Sequence, residues 1–181
     1  LGESSLFLNQ TGSSLNSIGW NSLYNTTGAS STALGSWAGQ TNTTGNNNLY
    51  LGDEADALAG TYSNSAAIGS HAKVGASNSI VLGGTGAWAV NVGIGTTTPW
   101  AKLSIQNTYG SQTALFDVAS STNANGSATS SLFRVNANGT VGIGSSTPYA
   151  TFSVVGVGGL TTATPPILVV NGGLGATGAG S

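Results

Sequence analysis

The sequence predicts an all-β repeat protein, and three observations support that fold class. A short unit pairing an aliphatic residue with glycine recurs along residues 1–83 at nearly constant spacing. A segment at residues 92–101 returns, with conservative changes, at residues 141–150. Apolar residues alternate with period two, and Gly or Pro interrupts most runs long enough for a helix. Together these features predict short strands that stack on one another from repeat to repeat.

The composition excludes several classes of protein. The 181 residues include 29 Gly, no Cys and no Met, and only 4% are charged, compared with about a quarter in ordinary soluble domains. The net charge is -2, and Lys73, Lys102 and Arg134 lie far apart, so we expect no nucleic-acid partner. No apolar run approaches the roughly 20 residues of a membrane helix, so we expect no membrane insertion in this segment. Because the chain starts at Leu1, we interpret it as a fragment or a processed product.

The aliphatic–glycine pairs define a first predicted domain, residues 1–90. From one pair to the next, the sequence number of the glycine increases by 17, 16, 17, 17 and 14, and turn signals such as Thr27-Gly28 lie between the pairs. Each repeat therefore predicts a strand, a turn, a second strand and a second turn. The pairs are Leu1-Gly2, Ile18-Gly19, Leu34-Gly35, Leu51-Gly52, Ile68-Gly69 and Leu82-Gly83.

A second predicted domain, residues 91–171, follows a different pattern. The segment VGIGTTTPWA at residues 92–101 returns as VGIGSSTPYA at residues 141–150. Each copy leads into an alternating strand, and the segment LFDV at residues 115–118 recurs as LFRV at residues 132–135. We predict a second kind of β repeat here. Residues 172–181 are rich in Gly and Ala and are interpreted as a linker or a cut end.

The thinness of the repeats predicts self-association. One repeat unit buries about three aliphatic side chains, worth roughly 5–9 kcal/mol, and ordering its backbone costs several-fold more. Stacking shares the burial between units, but the interior of one chain stays small. We therefore predict that identical chains wrap around a common axis and bury one set of aliphatic residues: Ile18, Leu34, Leu51, Ile68, Leu82, Ile94 and Ile143.

Several motifs resemble known fibre repeats. Residues 19–28, GWNSLYNTTG, with STALG at residues 31–35, resemble a repeat of phage tail fibres and bacterial surface fibres. Residues 64–75, NSAAIGSHAKVG, with NSIVLG at residues 78–83, resemble the head repeat of trimeric autotransporter adhesins. The VGIG segments at residues 92–99 and 141–148 are similar to segments near the C-terminal ends of such fibres.

The resemblance implies a parallel, intertwined homotrimer, with a β-roll or triangular β-helix followed by β-prism segments. It also implies a structural and adhesive role in an extracellular fibre on a cell surface or virion. The partners would be the chain itself and glycans or cell-surface receptors. Two alternatives stay open: a phage tail fibre that recognises a receptor, and a tailspike-like glycan depolymerase.

Aromatic residues are the candidates for surface recognition. Trp20, Tyr24, Trp37 and Tyr50 either stack on sugar rings or seal the contacts between chains. Both roles stay open for these four candidates.

Chemical sites receive little support from the sequence. Asp53, Glu54 and Asp56 form an acidic cluster that fits an exposed turn, a Ca²⁺ site or a pair of hydrolytic carboxylates. His71 is the single histidine, interpreted as a solvated loop residue, with metal binding by His71 of three chains as an alternative. The segment GTGAWA at residues 84–89 lacks the following helix that a phosphate-binding loop requires. We predict no catalytic residue, metal or cofactor, and a protein that is not an enzyme.

Overall fold

The computed structural model describes residues 2–121, 129–148 and 150–154. In this part of the chain the fold is all-β, and its only helical element is a single 3-10 turn, Gly86–Trp88. No helix in these ranges is long and apolar enough to cross a membrane. The strands are Asn16–Ile18 (β1), Thr32–Leu34 (β2), Leu49–Leu51 (β3), Asp56–Ala57 (β4), Ala66–Ile68 (β5), Lys73–Val74 (β6), Ile80–Leu82 (β7), Val92–Ile94 (β8), Leu103–Ile105 (β9), Phe116–Ser121 (β10), Thr129–Val135 (β11), Val141–Ile143 (β12) and Phe152–Val154 (β13).

The described residues form two compact units. The first takes the residues up to Val92 together with Thr98–Ser104. The second takes Gly93–Thr97 and the described residues from Ile105 onwards. Strands β8 and β9 pair with each other as a separate two-stranded sheet.

The first unit is a β-solenoid-like coil of about four turns. One strand from each repeat joins a parallel sheet in the order β1-β2-β3-β5-β7. The register pairs Ile18 with Leu34, Leu34 with Leu51, Leu51 with Ile68, and Ile68 with Leu82. The repeat alignment derived from the aliphatic–glycine pairs is therefore confirmed at the level of individual residues.

The middle residue of each strand in the five-stranded sheet points towards the core of the coil. Ala33, Tyr50 and Ala67 occupy this position in β2, β3 and β5 and are buried. Because successive residues of a strand point to opposite faces, their aliphatic neighbours point outward. Most other core side chains are small: Leu23, Ala38, Ala55, Ala57, Ala72 and Val74. Small side chains allow so short a repeat to close on itself as one turn of the coil.

Buried amides, rather than further apolar residues, complete the interior. The Asn48 Oδ1 accepts hydrogen bonds from the backbone N–H and the hydroxyl of Ser65, at 3.0 and 2.8 Å. The Asn42 Nδ2 donates to the Thr26 Oγ1 at 3.0 Å, one coil earlier. These bonds join neighbouring coils and satisfy polar groups that would otherwise be costly to bury.

Glycine is required where backbones of adjacent coils meet. A Cβ atom at Gly35 would overlap with the carbonyl group of Gly52, and Gly35 has a φ of +142°. At the opposite side of the coil, a Cβ at Gly28 would overlap with the Gly45 carbonyl. The regular glycines of the sequence are thus spacing elements, which allow the coils to approach closely.

Non-glycine residues in the left-handed conformation form a corner after the first five aliphatic–glycine pairs. This corner lies two positions after the glycine, and its members are Ser4, Asn21, Trp37, Glu54 and His71, with φ between 53° and 59°. The second predicted strand is present in only two repeats, as β4 and β6, which pair in parallel. In the earlier repeats turns replace it, so the strand–turn–strand–turn prediction is wrong for those repeats.

The second unit is a four-stranded sheet in the order β10-β11-β12-β13. Strands β10 and β11 form an antiparallel hairpin with an irregularity between Val118 and Ala119. Strand β11 pairs antiparallel with β12, and β12 pairs in parallel with β13. The two VGIG segments supply β8 and β12, while the end of the second predicted domain and the predicted linker, residues 155–181, lie outside the described residues.

Candidate functional site

A row of aliphatic side chains covers the outer face of the five-stranded sheet. Parallel register aligns one such residue from each strand, so that the row runs across the stacked coils. Exposure reaches 50% at Ile18 and 49% at Leu82, although both side chains are strongly apolar. We call this set the apolar row; its members are Ile18, Leu34, Leu51, Ile68 and Leu82.

The remaining residues predicted to join a shared core are also open to solvent. Ile94 is 54% exposed in β8, and Ile143 is 40% exposed in β12. In one copy of the chain, therefore, every member of the predicted set is exposed except Ile68, which is half-buried.

An open hollow lies beside the corners of the first coils. It has a volume of about 350 Å³, which is within the usual range for small-ligand sites. Aromatic rings, amides and one carboxylate line it together: Glu3, Ser4, Trp20, Asn21, Tyr24, Trp37 and Gln40. We call it the aromatic hollow.

The repeat spacing brings the rings of the aromatic hollow together. Trp20 and Trp37 lie one repeat apart and meet edge to face, with ring centroids separated by 4.6 Å. Tyr24 stacks on Phe7 of the preceding repeat, with a centroid separation of 5.4 Å. Trp20 keeps 47% of its surface exposed, so its ring remains accessible to a ligand. The sequence analysis did not predict three other residues of the aromatic hollow, Glu3, Asn21 and Gln40. Counting one repeat length from Trp20, Trp37 and Tyr24 would have placed them next to these rings.

Tyr50 does not belong to this surface, and its predicted role in recognition is corrected. Its side chain is fully buried because it occupies the inward position of β3, between Leu49 and Leu51. Burial, followed by the nearby charge of Asp56, raises the pKa of the Tyr50 hydroxyl well above its ordinary value. That hydroxyl has no hydrogen-bond partner among the described residues.

The acidic cluster predicted from the sequence separates into two environments. Asp56 turns inward, where its oxygens accept hydrogen bonds from the backbone N–H groups of Thr41 and Ala57, at 3.0 and 2.8 Å. Burial raises the pKa of the Asp56 carboxyl, partly opposed by these hydrogen bonds and by Lys73, whose Nζ lies 3.9 Å away. Asp53 and Glu54 are exposed. The three carboxylates therefore do not form a single oxygen-rich site.

Instead, the structure brings Asp53 and Glu54 next to His71. One ligand atom from each of these residues lies within 4.8 Å of the others. The His71 Nε2 and the Glu54 Oε2 lie 3.4 Å apart. The repeat alignment contains the signal for this contact, because Glu54 and His71 occupy equivalent corner positions in neighbouring coils.

Comparison with known proteins adds no relative. No protein-family model, curated protein or solved structure matches this chain.

Proposed function

We propose that this chain is a structural and adhesive segment of an extracellular fibre, in which three parallel copies associate along their apolar rows. The observation that carries the proposal is the exposure of that row in a single copy. Isolated exposed aliphatic residues are common, but an aligned row of exposed aliphatic residues is typical of an interaction surface. The occupant that we infer is a second and a third copy of the same chain.

The geometry of the row favours copies of the chain over an unrelated partner. Strands in a sheet are about 4.8 Å apart, so the row repeats at that interval over about 19 Å. A parallel copy presents the same residues at the same interval, and each residue then meets its equivalents. Around a threefold axis every row contacts two others, which desolvates both of its sides.

The second unit supports the same assembly by a different route. Among its described residues the buried positions are Ser131, Gly142 and Ser153, and none carries a large apolar side chain. Phe133, Ile143 and Phe152 are at least 37% exposed. Sheets become stable by covering an apolar face with another layer, and copies of the chain would supply that layer.

The aromatic hollow is the proposed adhesive element. Trp and Tyr rings present flat apolar faces to the C–H groups of a sugar, and neighbouring amides and carboxylates bind its hydroxyl groups. Trp20, Trp37, Gln40 and Glu3 supply both kinds of group. The proposed ligand class is a glycan of a cell surface. The same hollow favours the second candidate, a phage tail fibre that binds a glycan receptor.

The depolymerase alternative has less support. It requires paired carboxylates on either side of a glycosidic bond, and Asp56 is buried with its oxygens already engaged, so only Asp53 and Glu54 are exposed for that role. Incubation with polysaccharides and a search for new reducing ends tests this directly, and we expect none.

A glycan array with the full chain tests the adhesive proposal. We expect wild type to bind a defined set of glycans, and Trp20→Ala and Trp37→Ala each to weaken binding about tenfold or more. Trp100→Ala is the matched control, because Trp100 is 93% exposed and lies outside the aromatic hollow. Equal loss in the Trp100 variant, or no binding by wild type, would contradict the glycan proposal.

A further inference from the structure

We infer that Asp53, Glu54 and His71 form a binding site for a divalent transition-metal cation of the Zn²⁺ class, complete within one chain. The site uses two carboxylate oxygens and one imidazole nitrogen, and all three ligand atoms lie within 4.8 Å of one another. The inference does not depend on the assembly proposed above, because every residue of the site belongs to the coil of a single copy.

The fold places the three side chains together for a backbone reason. Glu54 and His71 are the left-handed corner residues of adjacent coils, with φ of 53° and 57°. The backbone N–H of His71 donates a hydrogen bond to the backbone carbonyl of Asp53 at 2.9 Å, which fixes the two corners in register. The side chains of both corners therefore leave the coil at the same place, one above the other.

The spacing between ligand atoms matches a metal site better than a hydrogen bond. The His71 Nε2 and the Glu54 Oε2 are 3.4 Å apart, which is longer than the roughly 2.9–3.0 Å of a typical N–H···O bond. Two ligands each about 2.0–2.1 Å from a tetrahedral ion lie roughly 3.3–3.4 Å apart. One edge of a tetrahedral site is thus already present, and the Asp53 carboxylate, with an oxygen within 4.8 Å of both other ligand atoms, is placed to supply the third ligand.

Two residues that are not ligands, Ser70 and Trp88, orient the imidazole of His71. Its Nδ1 shares a hydrogen bond of 2.8 Å with the Ser70 hydroxyl, and its ring stacks on Trp88 at 3.9 Å with an interplanar angle of 4°. Fixing Nδ1 and the ring plane leaves Nε2 directed at the carboxylates. An oxygen partner on the non-ligating nitrogen is the usual support of a metal-binding histidine.

The ligand types select the class of cation. Imidazole together with carboxylate suits Zn²⁺ and neighbouring transition metals, whereas Ca²⁺ takes six to eight oxygen ligands. Asp56, which could have extended the oxygen set, is buried and engaged with backbone amides. The side chain of Glu54 is 48% exposed, so an ion can reach the site from solvent and water can fill its remaining positions. A bound ion would join two coils next to the 3-10 turn that carries Trp88.

Calorimetric titration of the chelator-treated full chain with Zn²⁺ tests the inference. We expect one ion per chain, a rise in the unfolding temperature with Zn²⁺, and no comparable heat with Ca²⁺. His71→Gln and Glu54→Gln should abolish this binding. Ser70→Ala, which alters only the support of the ring, should weaken it about tenfold. Glu3→Gln is the matched control, because Glu3 lies near the corresponding corner of the first coil, outside the ligand set.

Co²⁺ gives a readout specific to the ligands. We expect visible absorption bands of a low-coordinate ion with wild type and Glu3→Gln, and none with His71→Gln; circular dichroism verifies that each variant is folded. The inference is overturned if wild type binds no Zn²⁺, if folded Glu54→Gln binds as tightly as wild type, or if Ser70→Ala has no effect on affinity. One ion for every three chains would also overturn it, since that result indicates a site shared between copies.

Discussion

The two units of this chain use similar residues but differ in what one copy can bury. The coil encloses Leu23, Tyr50 and Val74 completely, and small side chains surround them. In the second unit, the described residues provide no buried apolar side chain, and large residues such as Phe116 and Leu132 stay exposed. The coil therefore has an interior of its own, whereas the sheet of the second unit leaves an apolar face uncovered.

Strand periodicity explains the difference. In the coil the middle residue of each strand points inward, and the core residues around it are mostly small. Each repeat can therefore form one narrow turn of the coil. In the second unit the register places Phe116, Phe133, Ile143 and Phe152 on one face of the sheet, and all four are exposed. A sheet with an exposed apolar face needs another layer against that face. The comparison predicts that the coil contributes stability within each chain, while the second unit depends on association.

The largest expected effect is the loss of the coil interior. Tyr50→Ala removes the largest fully buried side chain and should destabilise the coil by about 3–5 kcal/mol. Phe133 is 37% exposed in one copy, so Phe133→Ala should act mainly on the association of copies. We expect it to lower the unfolding temperature by an amount that depends on protein concentration. Chemical unfolding at several protein concentrations separates the two. A concentration-independent loss for Phe133→Ala would remove the distinction between the units.

A charge in the apolar row should separate the copies without unfolding the coil. Leu51→Lys forfeits roughly 1.5–3 kcal/mol of burial per chain and adds the cost of desolvating an ammonium group. We expect a shift towards monomer in analytical ultracentrifugation, with an unchanged circular dichroism spectrum. Leu58→Lys is the control, because Leu58 is 67% exposed and lies outside the row. Equal dissociation by both variants would show that the row is not the interface.

A smaller, stabilising effect is expected when the Tyr50 hydroxyl is removed. This group is buried and has no hydrogen-bond partner among the described residues. Tyr50→Phe keeps the ring and deletes the unsatisfied group, so it should raise the free energy of unfolding of the coil by about 1 kcal/mol. A loss of stability in denaturant titrations would indicate that the hydroxyl is satisfied in solution.

The smallest effect concerns pH and is confined to the coil. Burial raises the folded-state pKa of Asp56, so the folded chain holds this proton at pH values where the unfolded chain has released it. Stability from this group is therefore full below the unfolded pKa and declines as pH rises through the folded pKa. Asp56→Asn should remove that decline, as measured by unfolding across the acidic pH range up to neutrality. If the wild type instead becomes more stable relative to Asp56→Asn as pH rises, the folded-state pKa of Asp56 is lowered and the prediction is wrong.

The repeat spacing allowed the register of the coil to be predicted, because glycine is compulsory where backbones touch. The inward position of Tyr50 could also have been predicted from the sequence, because alternation along β3 places its side chain on the face opposite to those of Leu49 and Leu51. The burial of Asp56 was not, because it depends on an amide donor from Thr41 in the preceding coil. The turns that replace the second strand were missed as well, because they rely on left-handed residues such as Trp37, which sequence propensities do not predict.

The mass of the intact particle in solution decides whether copies of the chain share a core. One copy has a mass of 17.7 kDa, and native mass spectrometry or light scattering should give a particle of three times that mass. A stable, fully folded particle of 17.7 kDa at micromolar concentration would contradict the account, because Ile18, Leu34 and Leu82 would then remain in water.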